Sequence, residues 1–329
     1  MIAPTDCKIV LVTRATRLAE LVMRFNTVSQ ARFYIEHQGA DFEDYVREDE
    51  VYHHALVQAQ SVISEIARIQ IVDRGFLTNF VFAPSDTIVA LGQDGLVANT
   101  LKYLDGQPVV GVNPDPARWD GRLLPFQPAD LPKLLPEVLR RKRSTRLVTM
   151  ARATLNNGQT LHGVNDLFIG PKTHCSARYV IRNGGGSETQ SSSGVVVSTG
   201  MGSTGWLKSL LTGASAIAQS AGHALNNPAR RDFAPPPLPK AKPTPDLNTS
   251  FAWDADYLFY TVREPFPTRT TGASMVFGKV RRGAPLILES QMAGNGVIFS
   301  DGIESDFLEF NSGTQAVIDV AERKGVLVE

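Results

Sequence analysis

Short β-branched apolar runs alternate with helically spaced segments through the first 143 residues, and then the alternation stops. Lys8–Thr13 (KIVLVT), Thr87–Leu91 (TIVAL) and Pro108–Val112 (PVVGV) are continuous apolar stretches of strand length, the signature of strands buried on both faces. Between them, Ala15 to Ile35 has helical apolar spacing, and His53 to Ile69 has Leu56, Ile63, Ile66 and Ala67 on one side. Further helices are predicted over Leu96–Leu104 and from Leu131 to Arg141. Strands alternating with helices predict a mostly parallel sheet covered on both faces, a Rossmann-like α/β domain over residues 1–143.

From residue 144 to 329 the pattern is one of short strands cut by Gly, Asn and Ser turns. Strand pieces are predicted at Arg146–Leu155, Ala177–Ile181, Gly194–Ser198, Tyr257–Arg263, Ser274–Val280, Leu286–Glu289, Val297–Ser300 and Gln315–Val320. This predicts an all-β, sandwich-like domain. An inserted segment, 207–250, interrupts it with a helix from Trp206 to about Leu225 and then six prolines between Pro235 and Pro245. Proline has no N–H to donate, so that stretch is expected to be an extended linker.

Composition narrows the function. Lys+Arg and Asp+Glu are 33 each in 329 residues, and zero net charge argues against a general binder of nucleic acid or anionic membrane. Two cysteines, Cys7 and Cys175, fit a reducing compartment better than a disulfide framework. No apolar run reaches a membrane span of roughly 18–20 residues. Asp6 and Lys8 fall where a signal peptide would be apolar, so a cytoplasmic location is expected.

Three segments carry candidate chemistry. Gly92-Gln93-Asp94-Gly95 follows the TIVAL strand and precedes a helix. There, backbone N–H groups and a helix N-terminus face an anion at the C-terminal end of a sheet. Asp94 is equally suited to cap that helix. Asn113, in GVNPDP, ends the next strand, and Asn-Pro also initiates turns. Ser191 to Trp206 (SSSGVVVSTGMGSTGW) runs from a buried strand through a Gly/Ser/Thr loop into a helix. Its small residues permit close ligand approach and its hydroxyls both donate and accept.

Taken in order, these segments resemble the NAD kinase family, whose motifs are Gly-Gly-Asp-Gly, Asn-Glu, Thr-Pro-Thr-Gly-Ser-Thr-Ala-Tyr and a late Asp-Gly. Here Gly92-Gln93-Asp94-Gly95, Asn165-Asp166, Thr199–Trp206 and Asp301-Gly302 stand for them. The likeness is nearest the mitochondrial type, with GVNPDP, Arg263-Glu264-Pro265, Glu309-Phe310-Asn311 and the Val12 to Arg17 stretch in common. It implies two domains with the active site between them and phosphoryl transfer from ATP to the adenosine 2′-hydroxyl of NAD, giving NADP. It further implies Asp94 as general base and Gly92, Gln93, Gly95 and Asn113 around the ATP phosphates. Asn165, Asp166, Thr199, Gly202, Ser203, Thr204 and Trp206 would lie at NAD, with Asp301 a weaker member of the site. Mg²⁺ would be held by phosphates and water rather than by a protein cage. Small nucleotides and a second copy of the chain, in a homodimer, are the expected partners.

The departures all fall in this site. Gln93 replaces a glycine, which predicts a conformational cost or a displaced turn. Leu96 removes a threonine hydroxyl, Asp166 is one methylene shorter than glutamate, and Met201 stands for a small residue. A kinase of another hydroxyl acceptor (sugar, lipid or nucleoside) and a non-catalytic NAD(P) binder are the alternatives. The basic run Arg140–Arg143 is expected to be a solvated helix end, with phosphate steering as the alternative.

Overall fold

A computed structural model describes residues 7–225 and 248–329; the proline-rich segment lies outside them. The chain divides into two compact units, residues 1–148 with 322–329, and residues 149–321.

The first unit contains β1 (Lys8–Thr13), α1 (Arg17–Phe25), α2 (Val28–His37), α3 (Phe42–Ile66), β2 (Arg68–Asp73), β3 (Thr87–Leu91), α4 (Asp94–Leu101), β4 (Pro108–Val112) and α5 (Leu131–Leu139). Its strands pair in parallel in the order β2-β1-β3-β4. Buried aliphatics of β1, β3 and β4 pack on Tyr52, Ala55, Ala59 and Ile63 of α3 and on Leu131, Leu134, Leu135 and Val138 of α5. The expected parallel α/β architecture is present.

Three expectations need correction here. The helix predicted from Ala15 to Ile35 is two helices, because Asn26 adopts φ 65° and Thr27 then caps a new start by accepting from Gln30 N–H. The helix predicted from His53 starts earlier, at Phe42 after the Asp41 cap, and ends at Ile66. Its supposed tail is edge strand β2, whose isoleucines alternate at Ile69 and Ile71. A two-residue period appended to a helical one reads as continuation.

The second unit contains β5 (Thr145–Leu155), β6 (Thr160–Gly163), β7 (Asp166–Pro171), β8 (Ala177–Asn183), β9 (Gly186–Ser192), β10 (Val195–Ser198), α6 (Trp206–Leu225), β11 (Tyr257–Val262), β12 (Phe277–Arg281), β13 (Leu286–Ser290), β14 (Gly296–Ser300), β15 (Ile303–Glu309) and the first part of β16 (Gln315–Val328). One antiparallel sheet runs β12-β11-β10-β7-β14-β15. A second set pairs β16-β13-β8-β9, also antiparallel. Their facing side chains, among them Leu167, Ile169, Val195, Val197, Tyr179 and Leu288, form one core. This is the sandwich the alternation predicts, with β6, β7, β9 and β15 in addition to the predicted strands.

The chain passes from one unit to the other along β5 and returns along β16. Val326 and Leu327 pair in parallel with Pro108 and Val109 of β4, and Val328 joins the first unit's core. Residues 322–329 therefore complete the α/β unit rather than the β-rich domain to which a single boundary at 143 assigns them.

Candidate functional site

β3 delivers Leu91 to the C-terminal edge of the parallel sheet, and Gly92–Gly95 turn directly into α4. Gln93 has φ −116° and ψ 163°, an extended conformation open to any residue. The predicted cost of replacing glycine there is absent. Gly92 is the constrained position: a Cβ would lie 2.9 Å from Leu96 Cδ2 and 3.5 Å from Arg14 Cδ and Nε. Nothing lies within 4 Å of a Cβ added at Gly95.

Asp94 opens α4. Its Oδ1 accepts the Leu123 N–H at 2.8 Å, and its Oδ2 has no partner among the described residues. Leu123 is in turn held against β4, since a Cβ at Gly111 would lie 1.9 Å from Leu123 O. Asn113, predicted at the phosphates, serves this support. Its amide donates to Trp119 O at 2.9 Å and accepts the Asp115 N–H at 3.0 Å. Asn113 thus orders the segment that holds Asp94.

Arg14, at the end of β1, adjoins the same turn. Its backbone N–H donates to the Tyr52 hydroxyl at 3.0 Å, which donates to Leu91 O at 3.3 Å. Its guanidinium pairs with Glu48 at 2.7 Å, while Nε is buried with no partner among the described residues. Glu48 also takes Arg17 N–H and Nε–H at 3.2 Å. Burial alone would raise the Glu48 carboxyl, but the bonds and charges of Arg14 and Arg17 outweigh it and hold it low.

In the β-rich unit, three motifs far apart in sequence form one knot. The Asp301 carboxylate accepts the N–H groups of Val164 (3.0 Å), Asn165 (2.6 Å) and Asp166 (3.3 Å). Asp301 adopts φ 55° and returns its own N–H to Asp166 O at 3.0 Å. The Thr199 N–H donates to Asn165 O at 2.9 Å, and its hydroxyl donates to Val164 O at 2.5 Å. A Cβ at Gly202 would lie 2.2 Å from Asn165 O, and one at Gly200 would lie 2.0 Å from Ala252 O. These glycines are required by close backbone approach.

The knot spends several predicted ligand groups. Thr199 and Ser203 are fully buried, and the Ser203 hydroxyl donates to Gly200 O at 2.6 Å. The groups left over are the Asn165 side chain, exposed Thr204, Trp206 and Asp166 Oδ1, which is buried with no partner among the described residues. Burial pushes the Asp166 carboxyl up to about 7, opposed by the Ser198 hydroxyl and reinforced by the Asp301 charge.

Trp206 borders a cavity of about 500 Å³. Its ring stacks on Phe168 at 5.8 Å and 15°, and Phe168 meets Phe299 at 4.9 Å. Cβ atoms at Gly170 or Gly194 would lie 2.6 and 2.7 Å from the Phe168 ring, so two glycines make room for it. The Arg263 guanidinium lies 5.8 Å from Trp206 and 6.0 Å from Phe168, with Nε buried and without a partner among the described residues. Glu264 beside it adopts φ 46°. Sequence reasoning missed Phe168 and Phe299; glycines inside strand runs were the available signal.

No cluster of three or more His, Cys, Asp or Glu side chains able to hold a metal occurs among the described residues. None of their helices is long and apolar enough to cross a membrane. No family model and no curated protein matches the chain. Among solved structures, an NAD kinase from Archaeoglobus fulgidus in complex with ATP is similar at TM-score 0.52 and 13% identity, covering 98% of this chain and 93% of that one. Yeast NADH kinase complexed with NADH is similar at TM-score 0.54 and 14% identity, covering 98% of this chain and 83% of that one. At such identities the likeness is one of fold, an α/β unit and an antiparallel β-rich unit.

Proposed function

We propose that this chain is an NAD kinase-like phosphotransferase of the mitochondrial type, moving the terminal phosphate of ATP to the adenosine 2′-hydroxyl of NAD. The observation that carries the reading is the knot of Asn165-Asp166, Thr199–Gly202 and Asp301. Three motifs chosen from sequence alone are hydrogen-bonded together in a fold shared with kinases of NAD and NADH.

Phosphoryl transfer asks a protein chiefly for positioning and charge stabilisation. Asp94 meets the first need: one carboxylate oxygen is fixed by Leu123 N–H and the other is left to accept a proton. It takes the proton of the 2′-hydroxyl as that oxygen bonds to the γ-phosphorus and the bond to ADP breaks. At the start of α4 the Gln93, Asp94 and Gly95 N–H groups are left to meet an anion, whereas the Gly92 N–H donates to Val112 O at 3.1 Å and the Leu96 N–H to Gln93 O at 2.8 Å. Gly92 lacks the carbon that would crowd this turn. Mg²⁺ bound with ATP would neutralise phosphate charge, held by phosphates and water. The Asp94 oxygen without a partner among the described residues fits that arrangement.

At NAD, the Asn165 amide and Asp166 Oδ1 remain to receive ligand hydroxyls. The Trp206–Phe168 stack with Arg263 above it offers a platform for a planar base beside an anion. A homodimer in the cytoplasm accompanies this reading. α6 has Lys208 as its only Asp, Glu, Lys or Arg, and Ile217 on it is 70% exposed.

The test is a coupled assay of NADP⁺ formation from NAD⁺, ATP and Mg²⁺. Wild-type activity with a loss of about 10²–10⁴-fold in Asp94→Asn is expected. NAD binding without NADP⁺ formation would make the chain a binder. Formation undiminished in the variant would remove Asp94 as base.

A further inference from the structure

The opposite edge of the parallel sheet carries a cavity of about 440 Å³ beside the starts of β1, β3 and β4. It lies at the other end of β3 from the Asp94 turn, about 16 Å away for a five-residue strand. Val138, Leu139, Val326 and Val328 make an apolar wall.

Asp86 lines this cavity and is 1% exposed. Its Oδ2 accepts from Ala83 N–H at 2.8 Å and pairs with Lys8 Nζ at 2.9 Å. Its Oδ1 is buried and has no hydrogen-bond partner among the described residues. A buried acceptor left unpaired is costly, and an N–H donor on an entering molecule would satisfy it.

The cavity also carries positive charge. Arg141 and Arg143, from the basic run at the end of α5, line it as well. The helix closes with Arg141 N–H bonded to Val138 O and Lys142 N–H to Glu137 O, each at 2.9 Å. Arg141 has φ 54°, in the position where such endings favour glycine. An arginine stands there despite the steric cost of the left-handed region. Arg141 forms no ion pair among the described residues. Arg143 reaches Glu137 only at 3.5 Å, with both side chains well exposed.

Two guanidinium groups, an apolar wall and one unsatisfied buried acceptor describe a ligand of small-molecule size. It is anionic at one end and an N–H donor at the other. We propose that this cavity is a second, non-catalytic nucleotide site that takes an adenine nucleoside monophosphate, with the phosphate on Arg141 and Arg143 and the exocyclic amino group on Asp86 Oδ1. The inference does not rest on the reaction proposed above, because its readout is binding.

Calorimetric titration of the full chain with AMP tests it. AMP is expected to bind the wild type. The affinity should fall at least tenfold in Arg141→Gly, which removes the cation and relaxes the left-handed residue, so its melting temperature should not drop. Asp86→Asn should weaken AMP similarly, whereas AMP should still bind in the presence of saturating NAD⁺, which occupies the site at Trp206. No AMP binding, binding unchanged in Arg141→Gly, or binding abolished by saturating NAD⁺ would each overturn the proposal. Displacement of AMP by an equal concentration of inorganic phosphate would reduce the cavity to an anion site and overturn the nucleotide assignment.

Discussion

Two buried carboxylates, one in each unit, ionise in opposite directions. Glu48 is 2% exposed and held low; Asp166 is 9% exposed and pushed up to about 7. Burial disfavours the charge on both, so burial does not decide the outcome. Glu48 faces two guanidinium groups, whereas Asp166 faces one serine hydroxyl and another carboxylate. The α/β unit thus organises its strand ends with paired charges. The β-rich unit organises its loop with backbone contacts at Gly200 and Gly202 and leaves a carboxyl group uncompensated.

The largest effect should come from breaking the paired side. Glu48→Gln strands the Arg14 charge, whose side chain is 8% exposed, and is expected to cost about 3 kcal/mol or more in urea unfolding. A loss below about 1 kcal/mol would mean that the pair is solvated.

Gly202→Ala attacks the other mode of support. Its added carbon would lie 2.2 Å from Asn165 O, so a loss of about 2–3 kcal/mol is expected. Gly95→Ala, with open space around it, should stay near the wild type. Equal melting of the two variants would contradict the close approach.

The pH dependence sharpens the contrast. Asp166 titrates near 7 folded against an ordinary 3.8. Its stabilising contribution is therefore complete below about pH 4 and is lost as pH rises through 7. Glu48, held low when folded, contributes stability that is lost as pH falls through its folded pKa. Melting temperatures between pH 4 and 8 should show a flatter neutral limb in Asp166→Asn. An unchanged limb would assign that slope to another group.

Gln93→Gly should do least. With φ already at −116°, glycine relieves nothing and should cost no more than about 0.5 kcal/mol through unfolded-state entropy. NADP⁺ formation should stay within a factor of about three. A large gain in rate would mean that the Gln93 side chain obstructs the phosphates.

Much of the fold was legible because its signals are local. KIVLVT, TIVAL and PVVGV are strands β1, β3 and β4, and the Gly/Ser/Thr loop does join β10 to α6. β2 was hidden because its alternation adjoins a helix without a break. The return of residues 322–329 to the first unit was hidden because pairing partners 218 residues apart, as Val326 and Pro108 are, leave no trace in a local window. At the candidate site, residue types were legible but side-chain destinations were not. Thr199 and Ser203 look like ligand donors in sequence, yet both hydroxyls bond the chain's own carbonyls. The conformational penalty assigned to Gln93 failed because the turn never asks that residue for a positive φ.

The last strand also has a consequence for how the chain is made. Residues 149–321 separate β4 from the segment that pairs with it. While the polypeptide grows from its N-terminus, the α/β unit must wait with the Pro108–Val109 end of β4 unpaired on its outer side until β16 emerges. A stalled or clipped chain would keep that edge, a row of unsatisfied backbone groups ready to pair with a neighbour. The order of synthesis thus makes the first-built half the last to be sealed.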